Sequence, residues 1–127
     1  MKIERIFDLE ERLIDFAVGI IHKAEALPKS KVGIHIAGQL IRCGTSPAAN
    51  YGEAQSAESR ADFIHKMKIC LKELRETRVW LLMIVRSNLV KPVTKLDSSI
   101  KENNELISIF VTSINTAKQN LKKAKPS

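Results

Sequence analysis

Residues 62–85 read DFIHKMKICLKELRETRVWLLMIV, and this stretch decides the fold. The last seven residues of the stretch are apolar on every side, so one partner helix cannot cover them. Heptad spacing, with intervals alternating between four and three residues, keeps one stripe of an α-helix turned toward a partner helix. The positions that follow this spacing are Phe63, Met67, Cys70, Leu74, Thr77, Leu81 and Ile84. The sequence therefore predicts a long helix that packs on more than one face.

Two further segments show a helical inner stripe. The first runs from about Asp8 to Leu27, where Pro28 stops it because the residue before a proline is pushed out of helical space. The last starts near Val93, or at Thr94 as its cap, and frays near its basic end. The stripe of the first helix comprises Phe7, Leu13, Ala17, Ile20, Ala24 and Leu27. The stripe of the last helix comprises Leu96, Ile100, Asn103, Ile107, Phe110, Ile114, Ala117 and Leu121.

The second helix is the irregular element. It is expected to begin near Lys31, with Ser30 as N-cap, and to reach about Ala57. A proline inside a helix removes a hydrogen bond and kinks or breaks it, at about 3 kcal/mol. The sequence leaves two alternatives open, a kink near Gly44–Pro47 or an end at Gly44 with a restart at Ser46. The positions expected to point inward are Val32, Ile36, Leu40 and Ile41.

Four helices joined by short links predict an all-α, antiparallel, up-down-up-down four-helix bundle. The third helix begins at a predicted capping box, with Ser59 as cap and Asp62 three residues later. With 127 residues the chain is expected to form a single domain spanning residues 1–127, and 5% aromatic content predicts an aliphatic core. No strand alternation, internal repeat, signal peptide or membrane-length apolar run is visible, which favours a cytoplasmic protein without membrane contact.

The third helix carries apolar residues away from its inner stripe. An uncovered apolar patch of this kind usually marks an interface in a native protein. We therefore expect a homo-oligomer that pairs through these residues. The alternative is that a tilted second helix covers the same face within one subunit. The residues concerned are Ile69, Val79, Leu82 and Met83.

Positive charge is concentrated in the second half of the chain. The formal charge is +7, with net −1 over residues 1–59 and net +8 over residues 60–127. Such asymmetry indicates a basic face and a polyanionic partner, RNA or DNA, although a solvated lysine-rich surface is the simpler alternative. At the C-terminal end, lysines also complement the helix dipole. The nucleic-acid-binding candidates are Lys68, Lys72, Arg75, Arg86, Lys118, Lys122, Lys123 and Lys125, with Arg78 beside them.

Motifs in the second and third helices resemble a known bacterial family. The sequence contains Gln39-Leu40-Ile41-Arg42, then Ser46 to Glu53 in the pattern Ser-x-x-x-Asn-x-x-Glu, then Phe63 and a glutamate-bearing third helix. This pattern resembles the S23-like four-helix bundle proteins encoded within intervening sequences of 23S ribosomal RNA genes. Pro47 stands where that family usually has an aliphatic residue, and Gly52 where it usually has alanine.

The resemblance extends in fold to the accessory bundle proteins of diversity-generating retroelements. It implies a homopentameric barrel of four-helix bundles with a basic surface and nucleic-acid binding, and it implies no enzymatic activity. Such a pentamer would carry five times +7, or +35, an attractor for RNA or DNA of any sequence. The alternative function is a structural or protein-interaction scaffold that does not bind nucleic acid.

Four polar residues in the motifs, Arg42, Asn50, Glu53 and Glu76, are candidates for a hydrogen-bonded network at the kink. A phosphate or ligand site at the break and a catalytic acid pair are the alternatives, but no nucleophile or base accompanies the acids at recognisable spacing. No Glu-x-x-His motif of the di-metal bundles occurs, so no metal or cofactor is expected. The thiols of Cys43 and Cys70 are expected to be reduced and buried.

Overall fold

The computed structural model describes residues 8–124, and all regular structure in that range is helical. Four α-helices follow one another with short links, and a 3₁₀ turn, Val93–Leu96, leads directly into the last of them. Consecutive helices pack side by side, and the first helix also touches the fourth, which confirms the predicted four-helix bundle. The helices are α1 (Leu9–Glu25), α2 (Lys31–Gln55), α3 (Arg60–Arg86) and α4 (Asp97–Ala124). Phe7 and Lys125 lie outside the described residues.

Side-chain caps fix the starts of α2 and α3. The Ser30 hydroxyl accepts a hydrogen bond from the backbone N–H of Gly33 at 3.1 Å, as predicted. At α3 the Ser59 hydroxyl accepts from the N–H of Asp62 at 3.0 Å. The Asp62 carboxylate accepts in return from the N–H of Glu58 at 3.3 Å, one residue earlier than a standard capping box would place it.

A Schellman motif ends α3. Asn88 adopts a left-handed conformation with φ of 57°, which asparagine tolerates better than most residues. The Leu89 N–H donates to the Ile84 carbonyl at 3.3 Å, and the Asn88 N–H donates to the Val85 carbonyl at 3.2 Å. These bonds satisfy carbonyls that the helix end leaves without a partner, and they turn the chain toward α4.

The α2 helix is unbroken, so the alternative of an end at Gly44 and a restart at Ser46 is wrong. Pro47 lies buried inside it, and Gly44 packs so closely on α1 that an added Cβ would stand 2.6 Å from a methyl carbon of Ile20. Ile36 and Leu40 are buried, as predicted. Small residues such as Gly33 and Gly44 fill other inner positions, and Val32 and Ile41, also predicted to point inward, are 57% and 37% exposed.

The core is aliphatic and continuous, as composition predicted. The buried stripe of α3 follows the predicted positions from Met67 to Ile84, except that Ile64 replaces Phe63 at the start. In α4 the buried stripe contains Ser99 and Leu106 where Ile100 and Ile107 were expected. Over residues 8–124, no helix is long and apolar enough to cross a lipid bilayer.

Candidate nucleic-acid interface

A basic groove runs between α3 and α4. Its cations are Lys68, Lys72 and Arg75 on α3 and Lys118 on α4. The α3 cations are spaced four and three residues apart, so they follow one edge of the helix over about 10 Å. The groove has a volume of about 490 Å³, and none of the described residues that line it is acidic. Half of the eight predicted nucleic-acid-binding residues therefore meet in one place.

The floor of the basic groove is apolar and comes from both helices. Leu71 of α3 faces Val111 and Ile114 of α4, and the amide of Asn115 adds a neutral hydrogen-bonding group. An apolar floor between lysine stems is expected, because long basic side chains bury their methylenes and keep their charged ends in water. The groove therefore presents exposed cations on both sides of an apolar floor.

The other predicted basic residues lie elsewhere. Arg86 joins Arg78 in a separate depression at the C-terminal end of α3. Lys122 and Lys123 are exposed in the last turn of α4, next to the unsatisfied carbonyls of that helix end. Lys125 lies beyond the described residues.

The predicted apolar interface residues are exposed to different degrees. Val79 is 45% exposed and Met83 is 46% exposed, whereas Ile69 and Leu82 are partly buried within the subunit. We call Val79, Leu82 and Met83, with Arg78 and Arg86 at their edges, the α3 face. The depression on this face is lined by both arginines as well as by the apolar side chains.

The polar quartet does not form one network. Arg42 donates to Glu76, to Glu73 at 3.2 Å and to Gln39 at 3.1 Å. Glu76 also accepts from the indole N–H of Trp80 at 3.0 Å. The Arg42 side chain is half exposed, so this cluster joins α2 to α3 at the surface and is not a buried lock.

The remaining two members of the quartet bond elsewhere. Asn50 donates to the Ser46 hydroxyl at 2.8 Å, one turn earlier on α2. Glu53 is exposed and pairs with Lys66 of α3 at 3.7 Å. Neither contact belongs to the Arg42 cluster, and each ties a polar side chain to its local surroundings.

Both thiols are buried, and their hydrogen bonds within residues 8–124 go to backbone carbonyls rather than to acidic or basic side chains. Burial raises the pKa of Cys70 to about 12, and its Sγ lies 3.6 Å from the carbonyl oxygen of Pro47. Burial also raises the pKa of Cys43. A thiolate, not a thiol, is the nucleophile, so these environments suit packing rather than catalysis. Among residues 8–124, no three acidic, histidine or cysteine side chains come together as a metal site would require.

Sequence reasoning missed a second apolar surface, on α1 and α2. Each of its residues is more than a third exposed: Ile14, Val18, Ile21, Ile34 and Ile41. The α1 members are spaced four and three residues apart, on a stripe beside the buried one. That second helical period in α1 is the signal that could have revealed this surface.

The fold and the basic groove place this protein among all-α bundles, with the groove between the last two helices. The chain belongs to the 23S rRNA-intervening sequence protein family, whose model matches residues 7–112. The resemblance based on the motifs of α2 and α3 is thereby confirmed. Among curated proteins, none matches this chain.

A solved structure agrees with this assignment. It is the crystal structure of a protein with unknown function from the S23 ribosomal protein family of Bacteroides thetaiotaomicron. The two chains are 32% identical and superpose with a TM-score of 0.77, over 83% of this chain and 96% of that one. Neither the description of the family nor that of the crystal structure names a catalytic activity.

Proposed function

We propose that this protein is a non-enzymatic, homo-oligomeric four-helix bundle, pentameric as the family resemblance implies, that binds RNA or DNA through phosphate contacts in the basic groove. The observation that carries the proposal is the convergence of four cations from two helices on a groove without acidic lining. Phosphate contacts supply most of the affinity of sequence-independent nucleic-acid binding.

Aromatic stacking has little part in this mode. Among residues 8–124, no aromatic side chain lines the groove. The ring of Tyr51 packs edge-on against Phe110, at 6.0 Å between ring centres, and the Trp80 indole is held by Glu76. Binding is therefore expected to depend on charge and to discriminate weakly between base sequences.

The test compares two double variants that remove the same charge. The groove variant is Lys68→Gln with Lys72→Gln, and the matched control is Lys95→Gln with Lys101→Gln, two exposed lysines outside the groove. Binding of labelled duplex DNA and single-stranded RNA is measured by fluorescence anisotropy across a salt series. We expect the groove variant to lose about 10-fold or more in affinity. Its duplex salt slope should shrink by about 1.8 for each subunit that contacts the duplex, since two phosphate contacts are lost per subunit.

The control variant should lose no more than about 3-fold, because it changes only long-range attraction. Equal losses in both variants would place binding outside the groove. Absence of binding by the wild-type protein at low salt would overturn the nucleic-acid proposal and favour the scaffold function.

A further inference from the structure

The molecule exposes two apolar surfaces of opposite charge, and they lie on different helices. The first is the α3 face, defined above. The second, which we call the α1/α2 face, consists of Ile14, Val18 and Ile21 on α1 and Ile34 and Ile41 on α2. Close contacts of Ile20 with Gly44 and of Pro28 with Gly33 set α1 antiparallel to α2, and this register brings Ile21 level with Ile41.

The charges around the two faces are complementary. On α1, the exposed acids Asp15 and Glu25 bracket Val18 and Ile21 over about 15 Å of helix. On α3, Arg78 and Arg86 bracket Val79 and Met83 over about 12 Å. On each of these two helices apolar side chains thus lie between two like charges, and the sign is reversed between α1 and α3. One cation, Lys29, lies beside Glu25 on the α1/α2 face, where its ammonium donates to the Glu25 backbone carbonyl at 3.1 Å.

The arginines of the α3 face form no salt bridge with the part of their own subunit that the structure describes. Over residues 8–124 the salt bridges of α3 involve Asp62, Lys66, Glu73 and Glu76, and neither Arg78 nor Arg86 takes part in one. An apolar patch with a charged rim has the composition of a protein–protein interface. The glycine on the α1/α2 face, Gly38, is also not required by its own subunit, since an added Cβ there would meet nothing within 4 Å.

We infer that the α1/α2 face of one copy of this chain receives the α3 face of the next, in a head-to-tail interface. This inference rests on the homo-oligomeric state proposed above and assigns the surfaces that form it. A twofold pairing of either face with itself would set like charges against each other, acid on acid or arginine on arginine. Helices α1 and α3 are not sequence neighbours and sit diagonally in the bundle, so one subunit can bind a neighbour on each side. An open row of subunits leaves one face free at each end, and closing the row into a ring fills both.

The basic residues of α3 then fall into two groups with different contacts. Arg78 and Arg86 belong to contacts between subunits, whereas Lys68, Lys72 and Arg75 line the basic groove and stay available to phosphates. Arg86, predicted from sequence to bind nucleic acid, is thereby reassigned to the subunit interface.

The test uses two variants that each block one face. Variant A carries Val79→Asp and Met83→Asp, and variant B carries Val18→Asp and Ile21→Asp. All four positions are exposed, so folding is expected to survive, and circular dichroism checks it. Thr112→Asp with Thr116→Asp, at exposed positions of α4, is the matched control and should assemble like the wild-type protein.

Masses are measured by light scattering coupled to size exclusion, without nucleic acid. We expect each variant alone to be a 14.3 kDa monomer and an equimolar mixture of A and B to give a dimer of twice that mass. The dimer forms because A retains an intact α1/α2 face and B retains an intact α3 face. It cannot grow, because the two remaining faces are both blocked.

Three results would overturn the inference while the wild-type protein remains an oligomer: a mixture that stays monomeric, either variant retaining the wild-type mass, or a homodimer formed by either variant alone. A monomeric wild-type protein would overturn the proposed oligomeric state itself. Loss of nucleic-acid binding in the groove variant leaves these masses unchanged, so the two proposals fail separately.

Discussion

At the scale of single residues, two helical glycines have opposite surroundings. At Gly44 an added Cβ would stand 2.6 Å from the Ile20 Cγ2, whereas at Gly19 it would meet nothing within 4 Å. Glycine is therefore required for the close approach of α1 and α2 at the first position. At the second position it only lowers the stability of the helix.

Substitution by alanine should separate these two cases. Gly44→Ala forces Ile20 or the helix pair to shift, and overpacking of this kind costs about 1–3 kcal/mol. Gly19→Ala is the control and should stabilise by about 0.5–1 kcal/mol, through helix propensity. The free energies of unfolding come from chemical denaturation. A neutral Gly44→Ala would mean that the two helices do not pack as closely as described.

The buried thiol of Cys70 makes stability depend on alkaline pH. Its pKa is raised from 9.0 to about 12, so the folded chain keeps a proton that the unfolded chain loses above pH 9. Stability associated with this group is fully present below pH 9 and falls by about 1.4 kcal/mol per pH unit toward pH 12. Cys70→Ala should be less stable at pH 7 and should show a shallower decline between pH 9 and 10. Parallel pH profiles for the two proteins would contradict the burial of this thiol.

At the scale of elements, the capping of α3 can be tested directly. The Ser59 hydroxyl accepts the N–H of Asp62, and Ser59→Ala removes this acceptor at a cost of about 1 kcal/mol. Ser59→Asp retains an acceptor at the same place and should be nearly neutral. Thermal unfolding of the two variants gives the comparison, and equal losses would show that the cap is not responsible.

The extent of α1 and α3 could be predicted because clear stop and start signals bound them. The inner stripes were predicted less accurately near some helix ends. Phe63 and Ile64, like Ile107 and Leu106, are apolar neighbours about 100° apart on either side of the stripe, so spacing alone does not decide which of the two is buried. In α2, inner positions filled by Gly33, Cys43 and Gly44 carry little hydrophobic signal, so Val32 and Ile41 were wrongly expected there.

The candidate site was only partly predictable. Charge asymmetry identified the basic residues, but their division between the basic groove and the α3 face depends on which helix packs beside each of them. The hydrogen bonds of Asn103 could not be predicted from the sequence either. Its Nδ2 donates to the Leu74 carbonyl at 3.2 Å, while its Oδ1 is buried without a partner among the described residues. A heptad pattern gives such a residue a position and says nothing about its hydrogen bonds.

At the scale of the whole molecule, assembly is what would remove the remaining apolar surface from water. Two exposed apolar faces remain after the core is formed, although the bundle has buried a continuous aliphatic core of its own. Large exposed apolar patches are uncommon on monomeric proteins and mark interaction surfaces. Assembly would cover both faces and would gather the basic grooves of several subunits on one particle, raising its affinity for a polyanion.

The mass of the intact wild-type chain in solution tests this claim most directly. Native mass spectrometry at micromolar concentration should show one closed assembly, with five copies of 14.3 kDa giving about 72 kDa. A single species at 14.3 kDa under the same conditions would contradict the account, because both apolar faces would then be stable in water without a partner.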